Sequence, residues 1–212
     1  EKFDICLSQN QETQKYLKYL GAKKIKILGN LKFSETNNEK KENINNKLIK
    51  IFKSRKIWCA ASTHNVEEKI SALTHKKLKK KYKNLLTIII PRHIQRTNDI
   101  IYETKNLGLN VQTRSSGNKI SNDTDIHLVD TYGESKSFYK ICKTVFLGGS
   151  LINHGGQNPI EAARFGCRII HGPNVQNFTE VYELLKKNNI SFKIKNIEQL
   201  AHHVEKSFIK KK

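Results

Sequence analysis

The stretch Gly148-Gly149-Ser150-Leu151-Ile152-Asn153-His154-Gly155-Gly156-Gln157-Asn158-Pro159-Ile160-Glu161 decides the fold. The apolar run Thr144-Val145-Phe146-Leu147 precedes it and reads as a buried strand. Ile160-Glu161-Ala162-Ala163-Arg164-Phe165-Gly166 reads as a helix closed by a C-terminal glycine. Strand, glycine loop and helix form a geometry that brings bare backbone N–H groups up to an anion. The four glycines of the loop let a ligand lie against the main chain. Pro159 suits the first helical turn, where its missing N–H costs nothing. From that turn Glu161 is expected to face the ligand, where its carboxylate would repel a phosphate but accept hydrogen bonds from a ribose diol. The reading is a nucleotide site with a sugar contact beside an anion contact.

Outward from this loop, strands and helices alternate. Strands are expected at Ile57–Ala61, Leu85–Ile90, Asn110–Thr113, Ile126–Val129, Arg168–His171 and Ser191–Ile194. Helices are expected at Val66–Lys80, Ile94–Leu107, Glu134–Cys142, Pro159–Phe165, Asn177–Asn188 and Ile197–Phe208. Leu86-Thr87-Ile88-Ile89-Ile90 is apolar on both faces, as a central parallel strand must be. Strict alternation predicts an α/β chain with a Rossmann-like, doubly wound parallel sheet. Nearer the start, Asp4–Leu7 and Lys24–Leu28 read as strands around a helix over Gln11–Leu20. A polar stretch from Gly29 to Asn46 reads as a linker entering a helix near Asn43–Lys53.

Composition narrows the class. The 212 residues carry 39 Lys+Arg against 19 Asp+Glu, a net charge of +20. Such a charge fits an anionic partner, a nucleic acid or a phosphorylated lipid at a membrane surface, and it equally fits a lysine-rich composition with no function in it. Clusters occur at Lys76–Lys83 and Lys210–Lys212, without the interleaved arginine and exposed aromatics of nucleic-acid domains. No nucleic-acid partner is therefore expected. Cys6, Cys59, Cys142 and Cys167 form no CxxC pair, so they read as buried reduced thiols, with no metal expected. No run of eighteen apolar residues occurs. With no methionine anywhere, Glu1 does not read as a natural start, and a piece of a longer protein is expected.

Ligands of such sheets bind beyond the carboxyl ends of the strands. Four polar motifs lie there. Ala60-Ala61-Ser62-Thr63-His64-Asn65-Val66-Glu67-Glu68 follows the first central strand, where Ser62 or Thr63 can cap the next helix and offer a hydroxyl to a phosphate. Pro91-Arg92-His93-Ile94-Gln95-Arg96 places two guanidiniums, which grip phosphate or carboxylate in a fork, in a chain where lysine greatly outnumbers arginine. In Val129-Asp130-Thr131-Tyr132-Gly133-Glu134, Gly133 permits close approach to a base or ribose. The opening loop is extended by His171-Gly172-Pro173-Asn174. No G-x-G-x-x-G and no G-x-x-x-x-G-K-[ST] occurs, which disfavours NAD and a P-loop ATPase.

Gly29-Asn30-Leu31-Lys32-Phe33, Ala61-Ser62-Thr63-His64 with Glu67-Glu68, Pro91-Arg92-His93, Asp130-Thr131-Tyr132-Gly133-Glu134, and Gly148-Gly149-Ser150 through Asn158-Pro159-Ile160-Glu161 together resemble 3-deoxy-D-manno-octulosonic acid (Kdo) transferase, the lipid A glycosyltransferase of Gram-negative bacteria. The resemblance runs from about Asp4 to Phe208. It implies the C-terminal half of a GT-B fold, with residues 1–30 as the last strand-helix-strand of the N-terminal domain and its hinge. Residues 31–212 would be the domain that binds the nucleotide sugar. It further implies inverting transfer of Kdo from CMP-Kdo to a phosphorylated lipid A precursor, with no cofactor, at the cytoplasmic face of the inner membrane. An anionic membrane surface is the expected partner of the basic charge.

By the same resemblance, Pro91, Arg92, Tyr132, Gly133, Glu134, Asn158, Pro159, Ile160 and Glu161 would contact CMP. Ser62, Thr63, Gly155 and Gly156 would make a phosphate loop, and Lys32 would stabilise the transition state as negative charge grows on the departing phosphate. The family's catalytic base is a glutamate early in the N-terminal domain. It would lie outside this chain, so the chain alone is expected to be inactive and to need that domain as a partner. Val66 and Gln157 stand where the family commonly has glycine and histidine, and Asn153 also departs. The competing readings are a GT-B transferase using a UDP-sugar and a non-enzymatic module binding anions or nucleic acid.

Overall fold

A computed structural model of the chain describes residues 3–9, 11–28, 46–117 and 120–209. The chain divides into two compact units, Glu1–Lys41 and Glu42–Lys212. The linker, Lys32 and the Lys210–Lys212 cluster lie outside the described residues.

In the first unit, β1 (Cys6–Ser8) pairs in parallel with β2 (Ile25–Ile27), with α1 (Gln11–Tyr19) as the crossover. The chain leaves α1 through Gly21, whose φ of +87° suits glycine, and the Gly21 N–H donates to Lys18 O. Two short strands and one helix enclose little: α1 has no buried residue, and Phe3, Tyr19 and Leu20 are exposed.

The second unit runs α2 (Asn46–Ser54), β3 (Lys56–Thr63), α3 (Glu67–Lys79), β4 (Leu85–Pro91), α4 (Thr97–Asn106), β5 (Val111–Thr113), β6 (Ile126–Leu128) and α5 (Ser135–Ile141). It continues with β7 (Thr144–Leu147), α6 (Ile160–Arg164), β8 (Arg168–His171), α7 (Thr179–Lys187), β9 (Ser191–Lys193) and α8 (Ile197–Phe208). Seven strands form one parallel sheet in the order β5-β6-β4-β3-β7-β8-β9. This is the doubly wound Rossmann-like sheet expected from the alternation.

The period of two along the strands sorts the core into two layers. Cys59 and Ala61 of β3, with Ile88 and Val145, pack against Phe52, Phe138 and Leu185. Trp58 and Ala60, with Ile89 and Phe146, pack against Ala72, Ile100, Leu200 and Val204. Every residue of β4 is buried, which explains its apolar run. Each large side chain so buried contributes roughly 1.5–3 kcal/mol. The chain starts in the middle of the sheet at β3, fills the β4–β6–β5 side, then crosses to β7 and winds the other way. The winding reverses between β3 and β7, the place at which doubly wound sheets bind their ligands.

Some details differ from the sequence reading. Neither Ser62 nor Thr63 caps α3; the N-cap is Val66, with no side-chain bond, because β3 runs on to Thr63 through a register shift after Ala61. The expected helices over 94–107 and 177–188 each open as a 3-10 turn, at Ile94–Arg96 and Gln176–Phe178. Cys59, Cys142 and Cys167 are buried and free, whereas Cys6 is half-buried. The lysine cluster is partly spent inside the protein. Lys76 donates to Leu107 O, Lys77 pairs with Glu198, Lys79 with Asp125 and Lys81 with Glu205. No helix among the described residues is long and apolar enough to cross a membrane.

Candidate functional site

The four motifs leave the carboxyl ends of β6, β4, β3 and β7, which are neighbours in the sheet. They are bonded to one another. The Arg92 N–H donates to Thr63 O at 2.9 Å, tying the β4 loop to the β3 loop, and the Gly148 N–H donates to Ala61 O at 2.9 Å. Gln95 Nε2 reaches the Tyr132 hydroxyl at 3.5 Å. Lys136 Nζ stands 3.5 Å from Glu161 Oε1, joining the starts of α5 and α6.

At the centre is Glu67, fully buried in the first turn of α3. Its Oε2 accepts the His64 N–H at 3.0 Å and the Gly149 N–H at 2.7 Å. Its Oε1 accepts the Ser150 N–H at 3.1 Å and the Leu151 N–H at 2.9 Å. The loop amides that the sequence reading leaves bare for an anion are thus bonded to a carboxylate of the protein. The loop glycines serve the same closure. A Cβ on Gly148 would meet Ser62 O at 2.4 Å, and one on Gly155 would meet Asn177 Nδ2 at 2.3 Å. Gly156, at φ +78°, donates its N–H to Gly149 O and packs against Val175. These glycines let protein approach protein.

The expected CMP contacts follow the ends of β4, β6 and β7 and differ in exposure. Pro91 ends β4 and is buried, while Arg92 is exposed. Tyr132 is 69% exposed, and Gly133 beside it, at φ +85°, is also exposed. Glu134 is held by the Arg114 guanidinium, which donates from Nε at 3.0 Å and Nη2 at 2.8 Å, and by the Thr131 hydroxyl. Burial opposes its ionisation, but Arg114 and Thr131 outweigh burial and hold the carboxyl below its ordinary range. Asn158 Oδ1 accepts the Ile160 N–H at 3.1 Å and so caps the turn that presents Pro159, Ile160 and Glu161. Of that turn, Pro159 and Ile160 are buried and Glu161 is half-exposed. Ser62 is half-buried at φ 53°, and the buried Thr63 hydroxyl has no partner. Lys32 lies outside the described residues.

Sequence reasoning singled out Arg96 for anion binding. Its guanidinium instead bonds Glu68 Oε2 and Asn65 Oδ1, each at 3.0 Å. Three further residues have roles that the motifs do not announce. Glu67 is the hub of the loops, and its one local signal was the spacing of a capping-box carboxylate that reaches back toward a preceding N–H. Arg114 clamps Glu134 from 20 residues away, with no pattern to reveal it. His154 lies over the His64 ring with centroids 4.3 Å apart. Among the described residues no group of three or more His, Cys, Asp or Glu could hold a metal ion.

The fold superposes on the crystal structure of the C-terminal CMP-Kdo binding domain of WaaA from Acinetobacter baumannii. The TM-score is 0.70 at 26% identity, covering 74% of this chain and 82% of that one. The class is therefore an α/β Rossmann-like domain of the GT-B glycosyltransferases. Curated relatives narrow it. The 3-deoxy-D-manno-octulosonic acid transferase of Haemophilus influenzae is 37% identical over 163 residues, 76% of this chain and 38% of that protein. The enzyme of the same name from Aquifex aeolicus is 32% identical over 201 residues, 95% of this chain and 53% of that protein. The chain belongs to the Kdo transferase family. It spans about half or less of the length of the curated relatives it matches. No family model matches it.

Proposed function

We propose that this chain is the donor-binding half of an inverting glycosyltransferase that moves Kdo from CMP-Kdo to a phosphorylated lipid A precursor. The observation that carries the reading is the likeness to a solved CMP-Kdo binding domain, with Pro91–Arg92, Tyr132–Glu134 and Asn158–Glu161 following the carboxyl ends of β4, β6 and β7 in one sheet. The carboxyl ends of the strands at the reversal of a doubly wound sheet are where a nucleotide lies. Arg92, which is exposed, offers a fork for phosphate, and Glu161 offers a carboxylate for ribose hydroxyls.

On this reading residues 1–30 belong to the facing domain and its hinge, and residues 31–212 to the donor domain. Lys32 stabilises the leaving phosphate, and Ser62, Thr63, Gly155 and Gly156 shape the loops around it. No cofactor takes part. Chemistry in a two-walled cleft needs acceptor and base from the other wall, so the chain alone binds the donor without transferring it. The whole enzyme would work at the cytoplasmic face of the inner membrane, drawn to anionic lipid by its basic charge.

A thermal-shift comparison of CMP, UMP, AMP and GMP tests the donor. CMP is expected to stabilise the chain and the other three to do so weakly or not at all. A larger shift with UMP would replace the reading with a UDP-sugar transferase. Salt-sensitive binding to random duplex DNA, indifferent to CMP, would favour an anion-binding module.

A further inference from the structure

We propose that His64, with Thr63, His93 and His154 around it, forms an oxyanion-binding subsite that gains a proton when its ligand arrives. The inference rests on the donor-binding reading above and concerns which charged part of the donor this corner holds. His64 leaves the end of β3 at the reversal of the sheet. It is 8% exposed, and both of its ring nitrogens are buried without a well-formed hydrogen bond, the Ser62 main chain lying close enough to favour the charged ring. The neighbouring Thr63 hydroxyl is also buried without a partner. Buried polar groups are normally satisfied, so unpartnered polar atoms on two successive residues mark a place for something with lone pairs to give.

The surroundings say what kind of group that is. The His154 ring lies 4.3 Å from the His64 ring and the His93 ring 5.6 Å from it, centroid to centroid. Both come from other loops, and Arg92 stands next to His93. The acidic group facing His64 is Glu67, whose Oε2 is 3.7 Å from Nδ1 and already accepts two backbone N–H groups. Beneath the rings is Gly149 at φ +65°, where a Cβ would come within 3.1 Å of His154 Nδ1 and 3.3 Å of His64 Cε1. Only glycine leaves the two rings room to close over the loop.

Burial first, then repulsion from His154, His93 and Arg92, pulls the His64 pKa down to about 4. The free ring is therefore neutral near pH 7. An anion among these groups turns the balance round, because it attracts the proton that the other cations repel. Protonation and anion binding then favour each other by the same factor. The sign follows: the ligand prefers the protonated ring, so affinity rises as pH falls. The proposed donor carries two oxyanions, a phosphodiester and a sugar carboxylate, and either would satisfy the subsite.

The test is the spectrum of the chain with 13C-labelled histidine at about pH 6, with His64→Gln to assign the resonance. The probes are sulfate, whose charge is constant over this range, then cytidine 5′-methyl phosphate and free Kdo. The His64 signal is expected at the neutral-ring position alone. It should move toward the imidazolium position with sulfate and with at least one organic anion. Affinity for that anion should rise roughly tenfold from pH 8 to pH 6. Movement with the phosphate ester alone assigns the phosphate, and movement with Kdo alone the carboxylate. His154→Gln, at an exposed position, removes one repelling ring and should move the unliganded His64 titration upward; this arm stands even if His64→Gln fails to fold. A His64 ring that stays neutral under all three saturating anions overturns the subsite. If sulfate moves His64 and neither organic anion binds, the subsite stands and the CMP-Kdo reading falls. If the cytidine ester binds with an affinity flat from pH 8 to pH 6 and neither Kdo nor sulfate moves His64, the subsite falls and the CMP-Kdo reading stands.

Discussion

The Gly149 N–H and the Glu67 carboxylate meet at 2.7 Å across 82 residues of sequence. This bond and its three companions lock the loop after β7 onto the first turn of α3, so the geometry of these loops is set before any ligand arrives. Glu67→Gln puts an NH2 group against two of the four N–H donors, and those donors lose their acceptor inside the protein. Unfolding in urea should show a loss of about 2–4 kcal/mol. A loss under about 1 kcal/mol would mean that the loop holds its shape without the carboxylate.

Val66 is expected to be a strained residue. Its φ of 78° and ψ of −41° lie near the rare γ-turn conformation, which a β-branched side chain tolerates badly. Its side chain is exposed, so little packing would be lost with it. Val66→Gly should therefore stabilise the chain by about 1 kcal/mol, the relief of strain less the extra freedom glycine gives the unfolded state. The check is the melting temperature with and without the substitution. A lower value would show that the Val66 side chain holds the turn.

These two residues mark where reading the sequence stopped. The sheet was legible because parallel central strands must be apolar on both faces, and Leu86–Ile90 and Thr144–Leu147 announce that locally. The position of the polar loops was legible too, since they follow those strands directly. The partners of the loops were not. Glu67 and Gly149 are joined only by the winding of the chain, and Arg114 finds Glu134 only after β5 and β6 pair. The glycines of these loops read as room for a ligand because a sequence does not say whether ligand or protein will fill the space. The conformation of Val66 runs against its own propensity. The likeness to a family that commonly has glycine there was the only hint.

Asp125 should make stability depend on acid. Burial opposes its ionisation, but hydrogen bonds from His75, Lys79 and the Asn110 N–H outweigh burial and hold its carboxyl well below the ordinary range. A folded-state pKa below the unfolded value gives stability that is fully present above about pH 4 and lost as pH falls through the folded value. Asp125→Asn is expected to cost about 2–3 kcal/mol at pH 7, since it removes the charge paired with Lys79 and sets an NH2 group against either the Asn110 N–H or the His75 and Lys79 donors. The gap between the two proteins should narrow as pH is lowered from about 4 toward 2. Denaturant unfolding at several pH values measures it, and a gap constant over that range would mean that Asp125 acts through shape alone.

Glu161 should matter for binding and hardly at all for folding. Its side chain is 38% exposed, and its ion pair with Lys136, itself 52% exposed, is open to solvent at 3.5 Å. A pair of that kind contributes little to stability, at most about 1 kcal/mol. It also leaves the carboxylate able to accept hydroxyl groups from a ribose at small cost. If Glu161 takes the ribose of CMP through charge-assisted hydrogen bonds, Glu161→Ala should weaken CMP binding by about 1.5–3 kcal/mol. The unfolding free energy should change by less than about 0.5 kcal/mol, as for an ordinary surface substitution. Lys136→Ala serves as the control, since it removes the same ion pair and leaves the carboxylate in place. Titration calorimetry with CMP on the three proteins separates the cases. Equal CMP affinity in Glu161→Ala and the unaltered chain would assign Glu161 to the favourable charge at the start of α6 and to nothing in the ligand site.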